Sequence, residues 1–411
     1  MAKQNWATNI NFHDAITLHP KSEEELSYAV LNSTKIRARG SAHCFNTIAD
    51  TRNTSVILDA MPIKLEIHPE RRTATVSAGL NYATISEFLE SKGWALSNLA
   101  SLPHISVAGA LATGSHGSGI RNGALHTSVK SVELMGPDGT IRTLTRGVDD
   151  DFNSSIVALG LSGIAISFEL DIEPSFQIMQ TVYAELPTDT FRENLVEILS
   201  SAYSVSYFTI WEKSKFGDLW MKSRVLPPAN YFGAAARTEK VHPSVGEDAD
   251  SCTEQLGVPG PWHLRLPHFR IDANPSIGNE LQSEFFVASE NASAAFGAIQ
   301  EISHNFGEKL LASEIRAIAA DDHWMSPAYG RQSISIHFTW KNDYEVLYLI
   351  SLIETALEPF EYRPHLGKVF NQESVDFRKA LPRFDQFRQA MLQLDPTEKF
   401  QNEFTSELFE Q

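Results

Sequence analysis

An α+β fold in two domains is what this sequence predicts, and three observations carry the prediction. The chain has 411 residues, 42% of them hydrophobic, which is long for one core and ample for two. Its first third mixes short strand-like runs, turns and helical spacing. Farther on, Ser333-Ile334-Ser335-Ile336-His337-Phe338-Thr339-Trp340 alternates polar and apolar over eight residues, the period of a strand.

Taken in order, Ile36 and Ala38 alternate with Arg37 and Arg39, as in a half-buried strand that breaks at Gly40. Ser55 to Leu58 is a β-branched run and a buried strand. Lys64–His68 and Thr73–Ala78 flank the Pro69-Glu70-Arg71-Arg72 turn and make a hairpin. Tyr82 to Lys92 is a helix with Ile85, Phe88 and Leu89 on one face, and Gly93 stands where it should stop. Val129–Met135 and Thr140–Leu144 flank Gly136-Pro137-Asp138-Gly139 as a second hairpin. A strand over Ile164–Ile172 ends before Glu173-Pro174, where the domain boundary is expected. A second unit follows from Ser175, with aromatic strands such as Tyr203–Trp211, and the last 45 or so residues read as helical.

Charge and composition exclude several classes. With 51 acidic and 34 basic residues the formal charge is -17, and no basic run occurs, which argues against nucleic acid and against an anionic membrane surface. Two cysteines, Cys44 and Cys252, are too few for a disulfide framework or a cysteine metal site. The opening residues lack the apolar core of a signal peptide and no stretch approaches a membrane span. The expectation is a cytoplasmic monomer with no metal.

Two glycine-rich runs carry the functional signal. The first is Arg39-Gly40-Ser41-Ala42-His43-Cys44-Phe45, and the second runs from His104 to Gly119 as HISVAGALATGSHGSG. Small residues after a strand leave backbone amides open to a ligand, as in anion-binding nests. Two such turns suit a ligand with several phosphates, and an imidazole beside one of them could bond covalently to a cofactor. Either run alone is more often a structural turn, and a lone histidine more often a hydrogen-bonded core residue. Neither fits the G-x-G-x-x-G dinucleotide fingerprint, and the phosphate-loop, nucleophile-elbow and zinc-helix motifs are missing. In the second unit Ser333, Ser335, His337 and Thr339 share one strand face, as do Glu314 and Arg316. From pattern alone both polar faces are expected to meet water rather than a ligand.

Together these segments resemble the vanillyl-alcohol oxidase flavoprotein family, and within it the alditol (xylitol) oxidases, relatives of the sugar-1,4-lactone oxidases. The likeness spans almost the whole chain, through Asn5-Trp6-Ala7, Asn98-Leu99-Ala100-Ser101-Leu102-Pro103-His104, Cys252-Thr253-Glu254-Gln255, Val258-Pro259-Gly260-Pro261-Trp262-His263, Arg363-Pro364-His365-Leu366-Gly367-Lys368 and Leu394-Asp395-Pro396. It implies an FAD-binding (PCMH-type) domain over 1–174, a mixed-sheet substrate (cap) domain over 175–365, and a segment 366–411 that returns to the first domain.

The resemblance also implies FAD bonded covalently to His43. The cofactor cradle would be Ala38, Arg39, Gly40, Ser41, Ala42, His43, Cys44, Ser101, Ser106, Gly109, Thr113, Gly114, Ser115, His116, Ala165 and His365. No cysteine lies in the second glycine run, so a single anchor is expected. Cys44 itself is expected to be a small buried residue, and His104 to touch the cofactor or bond a nearby carbonyl. Ser101, Glu314, Arg316, His337, Thr339 and Lys368 would line the substrate cavity, with Arg316 and Lys368 catalytic. Their oxygens and cations suit a polyol. Leu366 departs from the lactone-oxidase pattern, which usually has Trp after the His. The implied reaction is oxidation of a terminal primary alcohol, with oxygen reduced to hydrogen peroxide. A sugar-1,4-lactone oxidase and a non-catalytic flavin- or sugar-binding protein are the alternatives.

Overall fold

The computed structural model describes residues 4–211, 215–244, 246–273 and 279–410. Both expected hairpins form. Leu65–His68 pairs antiparallel with Thr73–Ser77, and Val129–Met135 with Ile141–Thr145. With Ile164–Asp171 between the pairs they make a five-stranded antiparallel sheet. Ile16–Leu18, Thr54–Val56 and Ile36–Ala38 form a small parallel sheet with Thr54–Val56 central. The strand expected over Ser55–Leu58 thus ends early, because Leu58–Ala60 tightens into a 3₁₀ turn. The helix Tyr82–Ser91 buries Ile85 and Leu89 and is capped by the Asn81 side chain. Gly93 follows at φ +79°, the left-handed conformation that stops a helix there.

The strand Ile36–Ala38 corrects the expected pattern. Arg37 and Arg39 are buried, and Ala38 is the exposed residue. The reason is that each guanidinium finds partners inside. Arg37 donates to the carbonyls of Phe400 at 2.6 Å and Leu159 at 2.7 Å. Arg39 binds Asp14 at 2.8 Å and lies over the Phe12 ring. A buried cation with several acceptors around it costs far less than a bare one.

The second unit is an eight-stranded sheet, antiparallel at every pairing. Its order is Gly260–Pro261, Gln177–Pro187, Phe216–Ser223, Ser204–Thr209, Leu310–Ile318, Ser333–Lys341, Glu280–Ala288 and Arg363–Pro364. One face is apolar: Phe285, Val287, Ile315, Ala317, Ile334, Ile336 and Phe338 pack with Phe296, Ile299, Ile350 and Ile353 from helices Ala292–Ile302 and Val346–Leu357. Strand alternation then sends Ser206, Glu284, Glu314, Arg316, Ser335 and His337 to the other face, where they too are buried. Water is therefore not what those polar residues meet. The C-terminal stretch touches both units: Phe400 packs with Leu26, Val30 and Ile36, while Phe384, Phe387 and Leu408 join the core beneath the large sheet. Among the described residues no helix is long and apolar enough to cross a membrane.

Candidate active site

The two glycine runs meet. Ser41 Oγ accepts from Ser106 N at 2.9 Å, and Ser106 Oγ accepts from Ser41 N at 3.2 Å. Glycine is needed for this approach, since a Cβ on Gly40 would stand 2.1 Å from Ser106 Oγ. Ala42 sits at φ 56°, left-handed for a residue that rarely goes there. Its carbonyl accepts from Trp6 N at 2.8 Å, which holds the turn. The Trp6 ring stacks on His43 with centroids 5.3 Å apart. His43 Nδ1 is buried with no hydrogen-bond partner among the described residues, and burial pushes the imidazole down to about 4. It is a neutral ring with a free nitrogen, fixed in place.

A cavity of about 350 Å³ opens here. Its lining takes in Ala38 to Cys44, Ser101, Ser106, Gly109, Thr113, Ser115, His116, Ala165 and His365 from the expected cradle. Gly114 is the exception. It turns the chain at φ +72° with its α-carbon backed by Pro327, so its glycine serves the turn and not the cavity. Cys44 is half-buried and lines the cavity, contrary to the expectation of a buried filler, because the turn that presents His43 carries it to the wall. Burial raises its thiol to about 12, so it stays protonated. His104 bonds the Ile271 carbonyl at 2.7 Å and lies outside the lining.

Ser101, Glu314, Arg316, His337, Thr339 and Lys368 line the same cavity. The register of the large sheet explains how. Glu284 stands beside His337, His337 beside Glu314, and Glu314 beside Phe208, one rung across four strands. Gln282 and Thr339 occupy the next rung on that face. Arg316 NH1 reaches Ser101 Oγ at 3.5 Å and so links the cap sheet to the glycine-rich side. Lys368 arrives on a tight turn in which Gly367 N donates to His365 Nδ1 at 3.1 Å. Asn46 donates to the Leu366 and Lys368 carbonyls at 2.8 and 2.9 Å, and Phe45 N to the Gly367 carbonyl at 2.9 Å. The turn of His43 and the turn of Lys368 are thus one framework. Leu366 points away from it into the apolar core.

Sequence reasoning missed the centre of this site. Glu284 Oε1 accepts from Arg316 at 2.6 Å, and Oε2 accepts from Lys368 at 2.7 Å. His116 Nε2 lies 3.2 Å from Oε1. The signal was weak, because Phe285-Phe286-Val287-Ala288 follows at once and hides the strand alternation of Gln282 and Glu284. Burial alone would raise Glu284, but Lys368, Arg316 and His116 hold its carboxyl well below the usual range. Burial likewise opposes Glu314, which Arg316 and His268 keep low. For Lys368, burial pulls the ammonium down while Glu284 pulls it up, and the balance is a lowered value. Burial and Lys368 keep His337 neutral. Two carboxylates and two cations therefore share one largely buried cavity wall, with neutral imidazoles between them.

A glycine-turn cradle with a buried imidazole thus faces a polar sheet across one cavity, and the chain's relatives place it among the flavin-dependent oxidoreductases. Residues 15–145 match the FAD binding domain model, and residues 280–408 match the D-arabinono-1,4-lactone oxidase model. An alditol oxidase from a Streptomyces species is 39% identical over 100% of this chain and 99% of its own length. The L-gulonolactone oxidase of Mus musculus is 24% identical over 99% of this chain and 98% of its own. A crystal structure of cholesterol oxidase from B. sterolicum superposes with TM-score 0.78 at 14% identity, covering 98% of this chain and 96% of the other, which shows the shared fold. The chain belongs to the alditol oxidase family.

Proposed function

We propose that this protein oxidises the terminal primary alcohol of a polyol such as xylitol or sorbitol to the aldose, using FAD bonded through His43 and passing the electrons to oxygen to give hydrogen peroxide. The observation that carries the reading is the polar rung of Glu284, His337 and Glu314, clasped by Arg316 and Lys368, in the cavity that also holds His43. A wall of charged and hydroxyl groups suits a chain of hydroxyls and rejects a flat apolar ring.

The residues present fit the flavin. His43 Nδ1 is a buried nitrogen without a partner, and Gly40 and Gly109 leave room that a Cβ would take from Ser106. Ala38 to Cys44, Ser106, Gly109, Thr113, Ser115, His116 and Ala165 would hold it. When bound, FAD supplies the hydride acceptor. The chain then does the rest. Glu314 accepts from one hydroxyl, and Ser101 and Thr339 give and take from others. Arg316 and Lys368 stabilise negative charge that grows on the reacting oxygen. Burial lowers Lys368 against the pull of Glu284, so it can instead take the hydroxyl proton that must leave with the hydride. Its position between Lys368 and Arg316 assigns Glu284 the task of holding both cations in place. Two free cysteines suit a reducing compartment such as the cytoplasm, and the proposed state is a monomer.

An oxygen-consumption panel of xylitol, sorbitol, glycerol, vanillyl alcohol and a sugar-1,4-lactone tests the reading. Polyols are expected to be turned over and vanillyl alcohol to be inert. The match of residues 280–408 favours the lactone as the competing substrate. Activity on the lactone with none on any polyol would replace the proposal. Glu314→Ala should raise KM for xylitol about tenfold or more, the loss of one hydrogen bond to a charged group, with a smaller change in kcat.

A further inference from the structure

Behind Glu314 runs a chain of buried groups that the reaction as described does not use. Glu314 Oε1 lies 2.9 Å from His268 Nε2, and His268 Nδ1 lies 3.3 Å from Lys222 Nζ. Lys222 also donates to the Leu266 carbonyl. Lys222 is only 2% exposed and His268 4%. An interior lysine is rare unless a partner needs it. Phe208 and Trp220 stand edge-on to the imidazole at 5.3 and 5.2 Å and hem it in.

The direction of each bond follows from what the groups can donate. Glu314 is ionised and only accepts, so His268 Nε2 must carry the hydrogen. Nδ1 is left with a lone pair, and Lys222 is the donor that faces it. We propose that Lys222 and His268 are positioning residues for polyol recognition: the lysine fixes and polarises the imidazole through Nδ1, and the imidazole, opposite Arg316, holds the Glu314 carboxylate at the cavity wall. This rests on the reading that Glu314 grips the polyol.

Burial keeps His268 neutral, down at about 4, with Lys222 adding to the effect. Burial pushes Lys222 down to about 7, with Arg316 lowering it further and Glu314 and Cys252 raising it. Of the groups facing Lys222, Glu314 and Arg316 stay charged, His268 stays neutral, and burial holds Cys252 protonated by raising it to about 11. The sign follows. Below about 7 the ammonium donates a charge-assisted hydrogen bond to Nδ1, which strengthens Nε2–H as a donor to Glu314. Above it the neutral amine is a weaker donor to Nδ1, so it polarises the ring less and the imidazole holds the Glu314 carboxylate less firmly. KM should therefore rise as pH passes upward through this value.

Steady-state kinetics with xylitol on the flavin-loaded enzyme, from about pH 6 to about pH 9, provide the test. In the wild type KM is expected to climb about tenfold, the equivalent of one charge-assisted hydrogen bond, with kcat changing far less. Lys222→Met should hold KM at the high value throughout, as should His268→Leu. His268→Gln keeps an amide donor for Glu314 without a ring nitrogen for Lys222 to polarise. It should restore KM to within about threefold of wild type near pH 6 and lack the pH step. Flavin content and Tm confirm that each variant is folded. A flavin-loaded Lys222→Met with the wild-type KM and pH profile overturns the proposal, and if that variant does not fold, a wild-type pH step in His268→Gln does so. Glu314→Gln separates the two levels. An unchanged KM there removes Glu314 from substrate binding altogether, while a raised KM beside an unmoved Lys222→Met rejects the buried chain alone.

Discussion

Lys368→Met is expected to slow reduction of the bound flavin by xylitol about a hundredfold or more, roughly 2.7 kcal/mol of barrier, while polyol binding changes little. The alcohol is neutral in the ground state and gains negative charge on oxygen only as the hydride leaves. A cation beside that oxygen therefore binds the transition state more tightly than the substrate. Lys368 is suited to the task because its side chain is 14% exposed and is anchored at 2.7 Å to Glu284. Glu284 keeps Arg316 and His116 as partners in the variant, which limits the cost of losing the lysine. Anaerobic stopped-flow on the flavin band gives the answer. An unaltered limiting reduction rate would remove Lys368 from the chemistry and leave it a counter-ion for Glu284.

His43→Ala is expected to abolish covalent attachment completely. Wild-type protein precipitated in acid should carry its yellow flavin into the pellet, and the variant should release it to the supernatant. The physical ground is the state of the imidazole. Burial pushes it down to about 4, so it is neutral at physiological pH, and Nδ1 is buried without a hydrogen-bond partner among the described residues. Trp6 stacks on one side of the ring, and the Ala42 turn aims it. A buried nitrogen left without a partner costs on the order of 1–3 kcal/mol, which a bond to the cofactor would relieve. Flavin that washes free of the wild-type protein would defeat this assignment, whatever the activity.

The two hairpins, the helix Tyr82–Ser91 with Gly93 at its end, and the strand Ser333–Lys341 were legible from residue order. Each rests on interactions between near neighbours: turn chemistry, a side-chain cap, alternation of faces. Period-two patterning also placed Glu314 with Arg316 and His337 with Thr339 on common faces. It could not show that those faces line a cavity, because a polar strand face reads the same against water or against a cavity. Arg37 and Arg39 show the same limit, being buried by acceptors that lie hundreds of residues away in one case and in a neighbouring loop in the other. Glu284 shows it most sharply. Its role comes from the strand register that sets it beside His337 and from Lys368 and His116 brought in from distant turns. Lys222 and His268 meet Glu314 for the same reason. Local order determined which elements form and which side chains share a face. Long-range packing decided which charges pair in the absence of water, and that pairing sets the protonation states on which the chemistry depends.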